Sequence, residues 1–149
     1  MATLLQFSLG FATVGTTVVL HLVGLALILR LLELCKERLK RTRIMQMILM
    51  GSVVCGILAL HMAEISVYAL IFWLGGALAP YDIALYFSAT TFTTIGYGDV
   101  TVDGAWRLFA ALEGLTGITL VGWSVAFLVT VVRRLDQWLG AESAGRLRR

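Results

Sequence analysis

Charge is what this sequence has least of. Only 14% of its 149 residues are Asp, Glu, Lys or Arg, against 59% that are hydrophobic, and mean hydropathy is +0.89. A soluble domain of this size could not carry that balance without large exposed apolar patches. The chain reads as one domain of an integral membrane protein. Cysteine is scarce too. Cys35 and Cys55 stand alone, with no pair spacing and no neighbours of metal-ligand type, and read as apolar or interfacial thiols. A single proline leaves helices uninterrupted, and 15 glycines offer small residues for packing faces. No nucleophile–base constellation and no metal-ligand spacing appears, which argues against an enzyme and implies no cofactor. Repeats, low-complexity stretches and Ser/Pro-rich linkers are also missing.

The charges that do occur are sorted along the chain. None falls between Met1 and Leu29, and Arg30 closes a run long enough to cross a hydrocarbon core, which takes roughly 20 residues. A signal peptide would carry its positive charge before the apolar run; here it follows, so a retained transmembrane helix is expected. One arginine at its end does not make a voltage sensor, which needs arginines through the membrane interior. Glu33 to Arg43 is a basic connector, better read as a cytoplasmic anchor than as a nucleic-acid patch. A second span runs from Ile44 to about Leu78, interrupted only by Glu64 and long enough to tilt. Pro80-Tyr81-Asp82 signals a helix start. The segment from about Asp82 to Phe92 would cover only about 17 Å, half a crossing. After a return through Val100 to Ala105, with Asp103-Gly104 as a turn, the last span extends from Trp106 to about Val132. The tail, Arg133 to Arg149, is basic and carries Leu135, Trp138 and Leu139 for an interfacial helix.

Of the 12 Lys and Arg, Arg107 alone lies on the side of the half-crossing segment's start. The positive-inside rule then places the N-terminus outside and the C-terminus in the cytoplasm. Asp82, Asp99 and Asp103 would decorate the outer face and attract cations. The expected fold is all-α and integral to the membrane: three transmembrane helices plus a re-entrant helix and loop. The expected divisions are 1–43, an N-terminal helix with its connector; 44–134, a pore-like unit; and 135–149, the tail.

Between the half-crossing segment and the last span lies Thr93-Thr94-Ile95-Gly96-Tyr97-Gly98-Asp99-Val100. Glycines flanking one residue permit backbone angles of alternating sign, which turns successive carbonyls to one side. A carbonyl ladder at membrane depth must be buried in protein or line an aqueous path. The motif resembles the selectivity filter of potassium channels, and residues from about Ile44 to Arg134 resemble that family's two-helix pore.

The resemblance implies a passive, potassium-selective channel built as a homotetramer, because one filter strand cannot surround an ion. It implies K+ on the carbonyls of Thr94, Ile95, Gly96 and Tyr97, with Gly98 completing the filter and the Thr94 hydroxyl innermost. Thr93 and Asp99 support the filter, Tyr97 turns toward Tyr86 and Phe87, whose rings equally suit ordinary apolar packing, and Glu113 backs it from the inner helix. Some relatives pair the aspartate after the filter with a pore-helix carboxylate. The matching position here is the neutral Thr90, so the partner of Asp99 is open. Arg107 falls at an outer anchor. Gly117 has two readings, a gating hinge or close packing together with Gly114 and Gly122. Ile118, Val121, Val125 and Val129 follow 3–4 spacing and would line a cavity and inner gate. His61 and Glu64 share a helix face and are either a structural hydrogen bond or a proton-sensitive gating element; His21 reads as structural. A prokaryotic inner membrane is the expected setting, with lipid and K+ as partners and no nucleic acid. The rival functions are a non-conducting accessory subunit of a larger channel or transporter, and a potassium-coupled transporter.

Overall fold

The computed structural model describes residues 2–35, 43–104 and 106–146, and every regular element among them is a helix. In chain order these are α1 (Ala2–Leu34), α2 (Arg43–Leu74), α3 (Tyr81–Phe92) and α4 (Trp106–Arg146). Three stretches are long and apolar enough to cross a membrane: Phe7–Leu34, Ile44–Leu74 and Trp106–Leu135. The fold is an all-α membrane architecture, with the short α3 lodged between α2 and α4. Most of the basic connector, residues 36–42, lies outside the described residues.

Three boundaries differ from the sequence expectation. Helix α1 continues past Arg30 to Leu34, because an exposed arginine near a helix end can extend its head away from the apolar run. Helix α2 stops at Leu74, short of Leu78. Gly76 adopts φ +70°, and the amides of Ala77 and Leu78 fold back onto the Phe72 carbonyl at 2.9 and 3.3 Å, a glycine-terminated helix end. Helix α4 does not break at Arg133 but runs on to Arg146, 41 residues in all. The expected division at Leu135 therefore falls inside one helix. No proline or glycine interrupts the stretch around it, and Arg134 is held at 2.8 Å by Glu33 at the far end of α1. The side chains of Trp138 and Leu139 lie outside the described residues.

The bundle has two apolar cores stacked along its length. At the connector end, Leu25 and Leu32 of α1 meet Val53, Ile57 and Leu60 of α2 and Val131 and Leu135 of α4. At the other end the core is aromatic: Phe72 packs edge-on to Phe87 and to Phe109 at 5.1 Å each, with Trp106 beside them. This aromatic core fixes α3 against α2 and α4. Helix α1 rests on both α2 and α4. It comes close enough that a Cβ on Gly24 would overlap the Leu60 side chain, the small-residue contact typical of membrane helices.

Candidate functional site

Helix α3 begins after Pro80, whose carbonyl receives the amides of Ile83 and Ala84 at 3.1 and 3.3 Å. Asp82 in the first turn complements the positive dipole end. The helix is 12 residues long, about 18 Å, and it ends on the buried Phe92. The chain then leaves the helix as an exposed loop from Thr93 to Asp99. Its root is tied to the last turn of α3. The Thr93 hydroxyl donates to the Ala89 carbonyl at 2.6 Å, Thr94 N–H to Thr91 and Gly96 N–H to Thr90, both at 3.0 Å.

The backbone of this loop alternates. Thr94, Gly96 and Gly98 have φ of +61°, +54° and +80°, with residues of ordinary negative φ between them. Left-handed backbone is easy for glycine but strained for threonine. Thr94 is the lone non-glycine residue with positive φ among those described. Alternation of this kind brings successive carbonyls to one side. It also leaves Ile95 and Tyr97 exposed in the single subunit, Tyr97 by 70%.

The supports are partly other than expected. Asp99 is held by the Tyr86 hydroxyl, which donates to Oδ2 at 2.7 Å. Thr90 contributes through its backbone: its carbonyl accepts Gly96, while its hydroxyl donates to the Phe87 carbonyl at 3.0 Å. The Phe87 ring does not serve Tyr97 within the subunit; it is buried against Phe72. Glu113 is fully buried and faces Ser88 on α3, although neither group closes a hydrogen bond. It thus stands behind α3 rather than on the loop itself. Gly117 is buried where a Cβ would overlap the Phe92 carbonyl, so close packing against α3 accounts for this glycine. Gly114 lies on the same face, where a Cβ would come 3.4 Å from the Thr91 carbonyl, whereas a Cβ on Gly122 would meet nothing within 4 Å. Ile118, Val121, Val125 and Val129 form an exposed apolar stripe along α4.

A second polar feature lies between the two cores. Glu64 is wholly buried, its Oε1 at 2.8 Å from Nδ1 of His21 and its Oε2 at 2.8 Å from Nδ1 of His61. His61 Nε2 lies 3.1 Å from the Ser124 hydroxyl on α4. The His61–Glu64 pair followed from helix spacing; the His21 contact did not. Its one signal was that His21, like Glu64, is a titratable residue far inside an apolar run.

Residues 48–134, more than half of the chain, match the sequence profile of a family described as ion channel. The chain belongs to that ion-channel family. Its two-span pore is typical of potassium channels, and the matched range takes in nearly all of α2, α3, the alternating loop and α4 as far as Arg134. Helix α1 lies outside it. No curated protein and no solved structure matches the chain. The ion-channel family domain and the three apolar helices support a multi-pass membrane protein with a channel function.

Proposed function

We propose that the protein is a potassium-selective channel in which four copies surround one axis and conduct K+ down its gradient. The observation that carries this reading is the alternating backbone at Thr94, Gly96 and Gly98, in an exposed loop at the end of a half-crossing helix. The carbonyls of Thr94, Ile95, Gly96 and Tyr97 replace the hydration shell of the ion, and the Thr94 hydroxyl forms the innermost ring. The negative pole of α3 points toward the same place. Two exposed surfaces support fourfold assembly. One is the loop itself, which cannot enclose an ion alone; the other is the stripe Ile118, Val121, Val125 and Val129, which would line the cavity of a closed ring.

In this reading the N-terminus is outside and the C-terminus cytoplasmic, as the distribution of Lys and Arg directs, in a prokaryotic inner membrane. Reversal potentials of the purified protein in planar bilayers, under opposed K+ and Na+ gradients, test it. The expected reversal lies near the K+ equilibrium potential; equal permeation by Na+ would overturn selectivity. Absence of any current, with the protein intact and reconstituted, would overturn autonomous conduction.

A further inference from the structure

The cluster of His21, His61 and Glu64 is not part of the loop and is not needed for conduction as described above. His21 comes from α1, the other two from α2, and 43 residues separate His21 from Glu64. One ligand-capable atom from each residue lies within 4.8 Å of the others. His21 and Glu64 are 0% exposed and His61 12%. Among the described residues no Lys or Arg pairs with Glu64. Burying a carboxylate without a cation is costly, and a titratable group inside a membrane calls for a named partner.

We propose that these three side chains bind one divalent first-row transition metal ion, with Zn2+ as the reference case, and so fasten α1 to the pore unit. The donor set decides the class of ion. Two imidazole nitrogens and one carboxylate oxygen suit zinc, cobalt or nickel, whereas magnesium and calcium take oxygen ligands. Bonds of roughly 2.0–2.1 Å in a tetrahedral site set neighbouring ligand atoms about 3.4 Å apart. The two nitrogen–oxygen contacts, 2.8 Å each and made to different oxygens of Glu64, would open slightly, and the widest donor pair, within 4.8 Å, would close toward that spacing.

One of the two outer ring nitrogens has the anchor this role calls for. A ligating histidine has its other nitrogen anchored by a polar neighbour, and His61 Nε2 rests on Ser124 across the interface with α4. His21 Nε2 is buried without a partner and lacks that anchor; the ring's polar contact is made at Nδ1, toward the cluster. The two rings stack at 5.5 Å and 24°, which aims both Nδ1 atoms at one carboxylate. Without metal, two Nδ1–H groups donating to Glu64 hold the same geometry, so the fold does not depend on the ion. With metal, the link reaches the conducting loop through His61, whose ring lies 5.8 Å from that of Phe92 at the loop's root.

The test uses the full chain purified through a tag without histidines, in a Cys35→Ser/Cys55→Ser background so that thiols do not bind the probe. The protein is stripped with chelator and titrated with ZnCl2, with bound metal counted by mass spectrometry, and separately with CoCl2, followed by visible absorption. The expected result is one Zn2+ per chain and the intense ligand-field bands of four-coordinate Co2+. His21→Asn, which keeps an amide donor near the Nδ1 position, and Glu64→Gln should each weaken binding at least tenfold; Ser124→Ala should weaken it about tenfold. A wild-type chain that takes up no stoichiometric Co2+ overturns the proposal whatever the variants do. So does binding that His21→Asn and Glu64→Gln, still folded by circular dichroism, leave unchanged; the cluster would then be a hydrogen-bonded lock alone.

Discussion

The hydroxyl of Tyr86 donates to the carboxylate of Asp99 at 2.7 Å, joining the middle of α3 to the residue that closes the alternating loop. Among the described residues the backbone hydrogen bonds from α3 reach only as far as Gly96, so this bond is the polar tie at the outer end of the loop, beside the packing of Val100 and Val102 on the aromatic core. Tyr86→Phe removes the donor and keeps the ring. The expected outcome is a channel that opens but inactivates severalfold faster in bilayer recordings, with K+ selectivity retained at early times. Asp99→Asn should act in the same direction and more weakly, because its amide oxygen can still accept. Wild-type kinetics in both variants would show that the bond does not hold the filter.

The same pair sets a pH dependence. The hydrogen bond to the Asp99 carboxylate is the first cause holding the Tyr86 phenol above its ordinary value of 10.0. A group whose value is raised on folding contributes stability fully present below its unfolded value and lost as pH rises through the folded one. The donor is therefore complete across neutral pH and is lost in strong alkali. Inactivation rates should be flat through neutral pH with respect to this bond and rise above about pH 10, and Tyr86→Phe should abolish that alkaline rise.

How much of this was legible in advance depends on the distance over which each interaction acts. The alternating loop was legible because Gly96 and Gly98 encode their own backbone freedom. The half-crossing α3 was legible because Pro80, Asp82 and a short apolar run are local signals. The His61–Glu64 contact followed from an i,i+3 spacing. Tyr86 was named as a neighbour of Tyr97, but its hydrogen bond to Asp99 depends on how a strand folds back along a helix, which no local pattern encodes. His21 is the clearer case. Its partner is on another helix, and helical rotation about an apolar axis is set by packing such as Gly24 against Leu60. Arg133 and Arg134 mark where the apolar span gives out, near Leu135, but charge alone does not end a helix, and how far α4 runs on, to Arg146, was not legible.

The pair Arg134–Glu33 offers a control. The nitrogen and oxygen lie 2.8 Å apart, but the side chains are 39% and 53% exposed. Exposed pairs of this kind contribute about 0–1 kcal/mol. Glu33→Gln should shift the thermal midpoint of the detergent-solubilised protein little and leave single-channel conductance unchanged. A large loss would mean that the contact between α1 and α4 at this end carries more than a surface ion pair.

Phe72 is the opposite case. It is fully buried and touches the rings of Phe87, Trp106 and Phe109 at 5.1, 5.7 and 5.1 Å, so it seats α3 against both neighbouring spans. Phe72→Ala should cost about 3–5 kcal/mol, read as lost thermal stability and lost yield of folded protein, whereas Phe72→Leu should retain most of both.

Gly117 and Gly122 separate packing from flexibility on one helix. If α4 needs Gly117 for bending, alanine there should alter gating while leaving assembly intact. The geometry gives a different expectation, because a Cβ at Gly117 would overlap the Phe92 carbonyl, while one at Gly122 meets nothing within 4 Å in the subunit. That carbonyl belongs to backbone and cannot rotate aside as a side chain would, so α4 must move off α3. Overpacking of this type costs about 1–3 kcal/mol, and the strain falls directly beneath Thr93 and Thr94. Gly117→Ala should lower thermal stability and perturb filter-dependent properties together, including K+ over Na+ selectivity. Gly122→Ala should keep selectivity and stabilise α4 by up to about 1 kcal/mol through helix propensity. A Gly117→Ala protein with normal stability and selectivity but altered open probability would restore the hinge reading.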